Sequence, residues 1–226
     1  MNEYGIIFDM DGVLIDSYHA HFQSWAIMAE MYGESITEDD FARLFGRTSR
    51  SIIAMIWEGL HFSDEKIAEM DVMKEKAFRD IIKNDFPAMP GAVNLLQSIA
   101  DTGCRLAVGS SGPIENISLV IEKLGAENLF DAIVTGNDVQ RGKPDPEVFL
   151  IAADRLGLPP AQCLVVEDAE PGVAAAKNAG MAVAGLLSTG HQPHELANAN
   201  LTVPSLAELS PEKLAGLIEE KQAKKL

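Results

Sequence analysis

The sequence is short of basic residues: its 226 residues include 18 Lys and Arg against 34 Asp and Glu, which gives a formal net charge of −16. Binding to nucleic acid or to an anionic membrane surface requires a face rich in Lys and Arg that can replace counterions. We therefore expect no nucleic acid and no membrane among the partners of this chain.

Cysteine and long apolar runs are also scarce. Only Cys104 and Cys163 are present, each at the start of an apolar run, and this is typical of buried reduced thiols rather than of a disulfide framework. No apolar run approaches the roughly 20 residues of a membrane span. The N-terminus lacks the basic segment and apolar stretch of a signal peptide, so we expect a cytoplasmic protein.

The chain instead shows a regular alternation of apolar runs and segments with helical periodicity. Runs typical of strands are residues 4–8, 105–108, 132–134, 164–166, 182–186 and 201–203. Helical patterns lie between or after them at residues 92–101, 113–124, 146–156, 172–179 and 211–221. This alternation predicts an α/β fold with a doubly wound parallel sheet.

Residues 17–84 interrupt the alternation because they carry helical patterns only. Helices are predicted at residues 18–32, 38–45, 49–60 and 64–83, and Thr37 and Ser63 precede acidic residues as N-caps usually do. Proline and glycine then end the helical pattern before residue 92. We therefore predict a core of residues 1–16 and 87–226 and an inserted, all-helical domain of residues 17–86.

The run FDMDG places Asp9 and Asp11 where the first predicted strand meets a glycine turn. Two carboxylates that project to the same side repel each other unless a cation lies between them. One interpretation is a metal and phosphate site in which one Asp is a nucleophile and the other a proton donor. The alternative is a solvated turn with acidic caps.

Three further clusters lie just beyond predicted strands, where open parallel sheets bind their ligands. They are Ser110 and Ser111 in VGSSG, Lys143 in RGKPDP, and Glu167 and Asp168 in VVEDAEPG. Taken singly, a Gly/Ser turn is common and a lone Lys is usually solvated. Together, and in this order, the clusters indicate one site that binds a phosphate group and a metal ion.

With these residues, the chain resembles the haloacid dehalogenase superfamily, in the subgroup that includes β-phosphoglucomutase and small-molecule phosphatases. The four motifs of that family match Asp9 to Val13, Ser110, Lys143 with Pro144, and Glu167 and Asp168 with Gly172. The resemblance implies a Rossmann-like core with a helical cap inserted after the first strand, which agrees with the helical pattern of residues 17–84.

The resemblance also implies catalytic roles. Asp9 would attack the phosphoryl group to form an aspartyl-phosphate, and Asp11 would act as general acid and base. Ser110, Ser111 and Lys143 would bind the phosphate oxygens. Because expulsion of a halide needs no proton, the presence of Asp11 favours phosphoryl transfer over carbon–halogen cleavage.

The cofactor that the resemblance implies is Mg²⁺. Its ligands would be the carboxylate of Asp9, the backbone carbonyl of Asp11 and the carboxylate of Asp168, with waters completing an octahedral shell. Glu167 would lie outside that inner shell.

The helical insertion would select the substrate. His21, the pair Ser49 and Arg50, and Lys74 align with cap residues of β-phosphoglucomutase, but the loop LFGRTSR departs from the mutase pattern and adds Arg47. This departure resembles the phosphatases of the subgroup. In the alternative interpretation these residues have no role in substrate binding. His21 would then be an interfacial histidine, and Arg47, Arg50 and Lys74 would be solvated.

We therefore expect a Mg²⁺-dependent phosphatase of small phosphorylated metabolites, with sugar phosphates as the expected substrates and a monomer or weak dimer as the expected state. Three alternatives stay open. They are a β-phosphoglucomutase-like phosphomutase, an inorganic pyrophosphatase of the same superfamily, and a non-catalytic phospho-ligand binder.

Overall fold

The structure is a computed structural model that describes residues 3–45, 49–59 and 61–224. Its strands are β1 (Gly5–Phe8), β2 (Arg105–Gly109), β3 (Ala132–Val134), β4 (Cys163–Glu167), β5 (Ala182–Leu186) and β6 (Leu201–Val203). Its helices are α1 (Tyr18–Met31), α2 (Glu38–Leu44), α3 (Ser49–Ile56), α4 (Asp64–Asn84), α5 (Ala92–Ala100), α6 (Ile114–Leu124), α7 (Glu147–Leu156), α8 (Glu170–Asn178) and α9 (Pro211–Ala223). The α/β prediction is confirmed.

The strands form one sheet in the order β3-β2-β1-β4-β5-β6, and every neighbouring pair is parallel. This is the doubly wound, Rossmann-like order, in which the direction of winding reverses between β1 and β4. Phe8 at the end of β1 is level with Val108 of β2 and Val166 of β4. The residues that follow these strands therefore emerge together at the carboxyl edge of the sheet, beside the switch point.

The central strand is buried on both faces, as expected for a parallel sheet with helices on each side. Ile7 and Phe8 of β1 have no exposed side-chain surface. Ile7 belongs to a core cluster with Phe149 of α7 and Val165 of β4. This packing places the carboxyl end of β1 in the middle of the sheet, against the core.

Contacts within the chain divide it into two compact units, Met1–Asp16 with Ala88–Leu226, and Ser17–Pro87. The second unit contains α1 to α4 and its own apolar core, which includes Trp25, Met28, Phe41, Ile53 and Met70. The predicted N-caps of α2 and α4 are confirmed, since Thr37 accepts a hydrogen bond from the backbone of Asp40 and Ser63 accepts one from Lys66.

Helix α3 is shorter than the sequence pattern indicates. It ends at Ile56, whereas the predicted segment reached residue 60. Gly59 has a φ of 83°, a left-handed conformation that cannot continue a right-handed helix. In the described part of the chain, no helix is both long and apolar enough to cross a bilayer.

Candidate active site

The loop after β1 begins with Asp9, whose N–H donates to the carbonyl of Val166 at 3.0 Å and so extends the pairing of β1 with β4. Gly12 then turns the chain with a φ of 71°. A Cβ atom at Gly12 would lie 1.7 Å from Oδ2 of Asp168, so only glycine permits this approach. The loop therefore lies directly against the carboxylate that follows β4.

Lys143 connects two of the predicted acidic residues. Its Nζ donates to Oδ1 of Asp9 at 2.7 Å and to Oε1 of Glu167 at 2.6 Å. The loop that carries Lys143 is secured nearby, because Oε2 of Glu147 accepts hydrogen bonds from the backbone of Gln140 and Arg141. The ammonium group is thus held between the ends of β1 and β4.

Glu167 is almost completely buried at the end of β4. While Oε1 accepts from Lys143, Oε2 accepts from the backbone N–H groups of Asp168 and Ala169, each at 2.8 Å. A Cβ atom at Gly172 would lie 1.6 Å from Oε1 of this carboxylate. Gly172, the glycine of the fourth motif, lies in α8, and its missing side chain leaves the space that the Glu167 carboxylate occupies.

Asp168 is held by residues that the sequence analysis did not select. Ser188 Oγ donates to Oδ2 of Asp168 at 2.5 Å, and Nε2 of His191 lies 3.7 Å from the same oxygen. Both residues follow β5 in the run LLSTGH. Their position beyond a strand end is the signal that points to them, but a serine and a histidine there form no acidic or basic cluster.

Ser110 follows β2 at the same edge of the sheet. Its N–H donates to the carbonyl of Val134 at 3.1 Å, and its Oγ accepts from the N–H of Gly112 at 3.0 Å. A Cβ atom at Gly112 would lie 3.7 Å from Cε of Met10, which places this turn beside the Asp9 loop. Ser110 is buried, whereas Ser111 is exposed.

The electrostatics of the site follow from this burial. Desolvation raises the pKa of Asp9 to about 7, with opposition from Lys143 and reinforcement from the charges of Glu167 and Asp11. Burial also raises the pKa of Asp168 well above its ordinary value, and Glu167 and Asp9 add to this effect. Burial lowers the pKa of Lys143, but the two carboxylates beside it outweigh that effect and raise it.

The donor set fits a divalent metal ion. One oxygen from each of Asp9, Glu167 and Asp168 lies within 4.8 Å of the others, and all three residues are buried. Lys143 supplies one positive charge to these three acidic groups. Carboxylate oxygens with a remaining excess of negative charge are the environment that a hard divalent cation prefers.

The helical unit brings two of the predicted substrate residues together. Nζ of Lys74 lies 2.9 Å from Nδ1 of His21 and 2.7 Å from Oε1 of Glu75. The ring of His21 stacks on Phe78 at a centroid distance of 4.2 Å. Lys74 is buried, so its charge is balanced inside this unit.

Among the described residues, Arg50 is the remaining basic candidate, and it does not join this cluster. Arg50 is exposed and forms an ion pair with Asp64 at 2.5 Å. Ser49, its neighbour, donates a hydrogen bond to Asp71. Arg47 lies outside the described residues.

A family model of haloacid dehalogenase-like hydrolases matches residues 6–186, which are most of the chain. The chain belongs to this family. The match begins in β1 and ends with β5, so it includes Asp9, Lys143, Glu167 and Asp168. The resemblance to this superfamily that the four motifs indicate is confirmed.

Members of the haloacid dehalogenase-like family with different activities resemble the chain to a similar degree. A phosphorylated carbohydrates phosphatase from Thermotoga maritima is 31% identical over 95% of this chain and 98% of that protein. The β-phosphoglucomutase of Bacillus subtilis is 30% identical over 92% of each chain. The crystal structure of β-phosphoglucomutase from Clostridium difficile superposes with a TM-score of 0.84 at 27% identity, covering 98% of this chain and 100% of that one. Overall similarity therefore does not distinguish a phosphatase from a mutase.

Proposed function

We propose that the protein is a phosphatase of phosphorylated sugars and related small phosphate esters, with Asp9 as its nucleophile. The observation that carries this proposal is the double contact of Lys143 with Asp9 and Glu167 at the switch point of the sheet. The sugar-phosphate activities named for the relatives support the substrate class.

In the first step, a carboxylate oxygen of Asp9 attacks phosphorus while the bond from phosphorus to the substrate oxygen breaks. The leaving oxygen takes a proton from Asp11, and an aspartyl-phosphate remains. In the second step, Asp11 removes a proton from water as the water attacks phosphorus. Inorganic phosphate leaves, and the carboxylate of Asp9 is restored.

The nucleophile must be ionised, and Lys143 favours its ionised form by donating directly to Oδ1. Because Lys143 donates to Oδ1, the proposed attacking atom is Oδ2. Ser110 and Ser111 are the proposed donors to the equatorial phosphate oxygens, and Lys143 would offset the charge that those oxygens carry.

We propose that Mg²⁺ is held by the carboxylates of Asp9 and Asp168 and the backbone carbonyl of Asp11. When bound, the ion would neutralise negative charge on the phosphoryl group. Glu167 would remain outside the inner shell, because each of its two oxygens already accepts hydrogen bonds from the protein. Its role would be to hold Lys143.

The unit Ser17–Pro87 is the proposed cap that selects the leaving group. His21 and Lys74 are its best candidates for substrate contact, because a buried lysine joined to a histidine offers donors to sugar hydroxyl or phosphate oxygens. Arg47 and Arg50 are further candidates from the sequence. Arg50 would first have to leave its exposed pair with Asp64.

A β-phosphoglucomutase-like mutase is the second candidate, and the similarity to mutases from two organisms favours it. A mutase must keep water away from the phosphorylated Asp9 until a sugar intermediate accepts the phosphoryl group, whereas a phosphatase must admit water. The departure of LFGRTSR from the mutase pattern favours the phosphatase.

The test is to mix the enzyme with β-glucose 1-phosphate and a catalytic amount of the 1,6-bisphosphate and to follow both products by ³¹P NMR. We expect inorganic phosphate to form faster than glucose 6-phosphate. If glucose 6-phosphate forms in large excess over phosphate, and His21→Ala selectively loses that product, the protein is a mutase and the proposed phosphatase activity is wrong.

A panel of hexose, pentose and polyol phosphates with pyrophosphate completes the test. Preferential turnover of pyrophosphate would identify a pyrophosphatase. No turnover of any member, with retained binding, would identify a non-catalytic binder. Asp9→Asn is the control for contaminating phosphatase activity.

A further inference from the structure

The loop that follows β5 lies at the same edge of the sheet as the acidic residues. Glu167 of β4 is level with Gly185 of β5, so the chain leaves β5 beside Asp168. The residues that then approach Asp168 are Ser188 and His191. Neither has a role in the proposed mechanism.

Ser188 makes the shorter contact. Its hydroxyl donates to Oδ2 of Asp168 at 2.5 Å, a charge-assisted hydrogen bond if the carboxylate is ionised. A Cβ atom at Gly12 would lie 3.0 Å from Oγ of Ser188, so the serine also contacts the loop that carries Asp11. Ser188 therefore stands where the loops after β1, β4 and β5 meet.

His191 approaches the same oxygen from a ring that is fixed on its other side. Nδ1 lies 2.6 Å from Oε2 of Glu195, while Nε2 lies 3.7 Å from Oδ2 of Asp168. The carboxylate of Glu195 accepts from this ring and also from the N–H of Gln192 at 3.2 Å. The His191 side chain is 14% exposed, so it is largely enclosed.

The turn that carries Glu195 is anchored in the core. Glu195 belongs to the short 3-10 turn Pro193–Leu196, which begins with a capping box at Gln192. Leu196, the last residue of the turn, is 1% exposed and belongs to the core cluster that contains Phe149 and Val165. The buried Leu196 therefore fixes the turn, and Glu195 in that turn fixes the ring of His191.

We propose that Ser188 and His191 are positioning residues that set the orientation of the Asp168 carboxylate. Among the described residues, both contacts are to Oδ2, which leaves Oδ1 as the oxygen for a metal ion. Residues that hold a metal ligand in place typically change metal affinity by roughly 10- to 100-fold when removed. The inference rests on the proposed function, because it requires Asp168 to bind the metal.

The experiment is calorimetric titration of the metal-free protein with Mg²⁺ alone, without substrate. Ser188→Ala should weaken Mg²⁺ binding about tenfold, and His191→Ala should weaken it to a smaller extent. Glu195→Ala should lower the affinity for Mg²⁺ as much as His191→Ala does. The double variant His191→Ala/Glu195→Ala should bind Mg²⁺ no more weakly than either single variant, because Glu195 acts through the ring of His191. His194→Ala, at an exposed histidine of the same turn, and Ser98→Ala on α5 are the controls.

Thermal unfolding of each metal-free variant separates positioning from folding. A positioning role leaves the metal-free midpoint close to that of the wild type and weakens the metal, whereas a structural role lowers the midpoint and leaves the affinity of the folded protein unchanged. The latter result overturns the inference.

Asp168→Asn distinguishes this failure from a failure of the proposed function. If Asp168→Asn loses Mg²⁺ while Ser188→Ala and His191→Ala bind it normally, only the positioning role is wrong. If Asp168→Asn binds Mg²⁺ as the wild type does, the metal assignment itself is wrong and the inference with it.

Discussion

Lys143 and Glu167 form a hydrogen bond of 2.6 Å between Nζ and Oε1. The same Nζ lies 2.7 Å from Oδ1 of Asp9. Glu167 therefore holds the ammonium group at the position from which it stabilises the ionised form of the proposed nucleophile.

Glu167→Gln should lower kcat by roughly 10- to 100-fold and leave the protein folded. The amide removes a negative charge and places an NH₂ group opposite either Lys143 or two backbone donors. Steady-state kinetics and circular dichroism check this, with Glu122→Gln at an exposed position of α6 as the control. Wild-type kcat in Glu167→Gln would show that Lys143 needs no such partner.

Asp9→Asn should reduce turnover on the order of 10³-fold or more, because a carboxamide is a poor nucleophile. The fold should persist, since the substitution keeps the shape of the side chain and removes a buried charge. Hydrolysis of an aryl phosphate measures the loss. Residual activity within tenfold of the wild type would exclude Asp9 as nucleophile.

Mg²⁺ should raise the midpoint of thermal unfolding, because it binds the folded site and not the unfolded chain. At 100 times its dissociation constant, the stabilisation should be about 2.7 kcal/mol. Excess EDTA should abolish turnover, and Mg²⁺ should restore it. Full activity in EDTA would contradict the metal role.

Gly172→Ala should disrupt the site through Glu167. Its Cβ would lie 1.6 Å from Oε1, so the carboxylate must move and the contact with Lys143 must break. We expect a loss of about 1–3 kcal/mol in the free energy of unfolding, together with a fall in kcat.

The matched control is Gly216→Ala, at a glycine of α9 that has no neighbouring atom within 4 Å of the new Cβ. Alanine in a helix should stabilise the protein there by about 0.5–1 kcal/mol without altering kcat. Equal effects of the two substitutions, measured by chemical denaturation, would rule out the steric explanation.

The hydrogen bond from Arg155 to Asp138 should make the free energy of unfolding fall at acid pH. Hydrogen bonds from Arg155 and from the backbone and side chain of Thr135 lower the pKa of Asp138 from 3.8 to about 2. Because the folded pKa is depressed, the stabilisation is complete above about pH 4 and is lost as pH falls towards 2. Asp138→Asn should cost about 1 kcal/mol near neutral pH and flatten this loss.

Denaturation midpoints at pH 6 and pH 2.5 measure this effect, with Asp154→Asn at an exposed position of α7 as the control. An unchanged acid profile in Asp138→Asn would show that other carboxylates determine the acid sensitivity.

Much of this protein could be predicted from local sequence. Strand and helix positions follow from the period of apolar residues, and Asp9, Ser110, Lys143 and Asp168 could be assigned to one edge because each follows a strand-like run. The end of α3 was predicted too late because Gly59 was not read as a stop. That signal was local and available.

Other features depended on tertiary structure alone. Lys143 meets Asp9 across 134 residues of chain and Glu167 across 24, and no local pattern specifies which carboxylates a lysine will join. Ser188 and His191 reach Asp168 only because β5 pairs with β4 in one register. Sequence alone determined which residue types stand at the strand ends, whereas the pairing of the strands decided which of them touch, because such contacts depend on the packed sheet and not on neighbours in the chain.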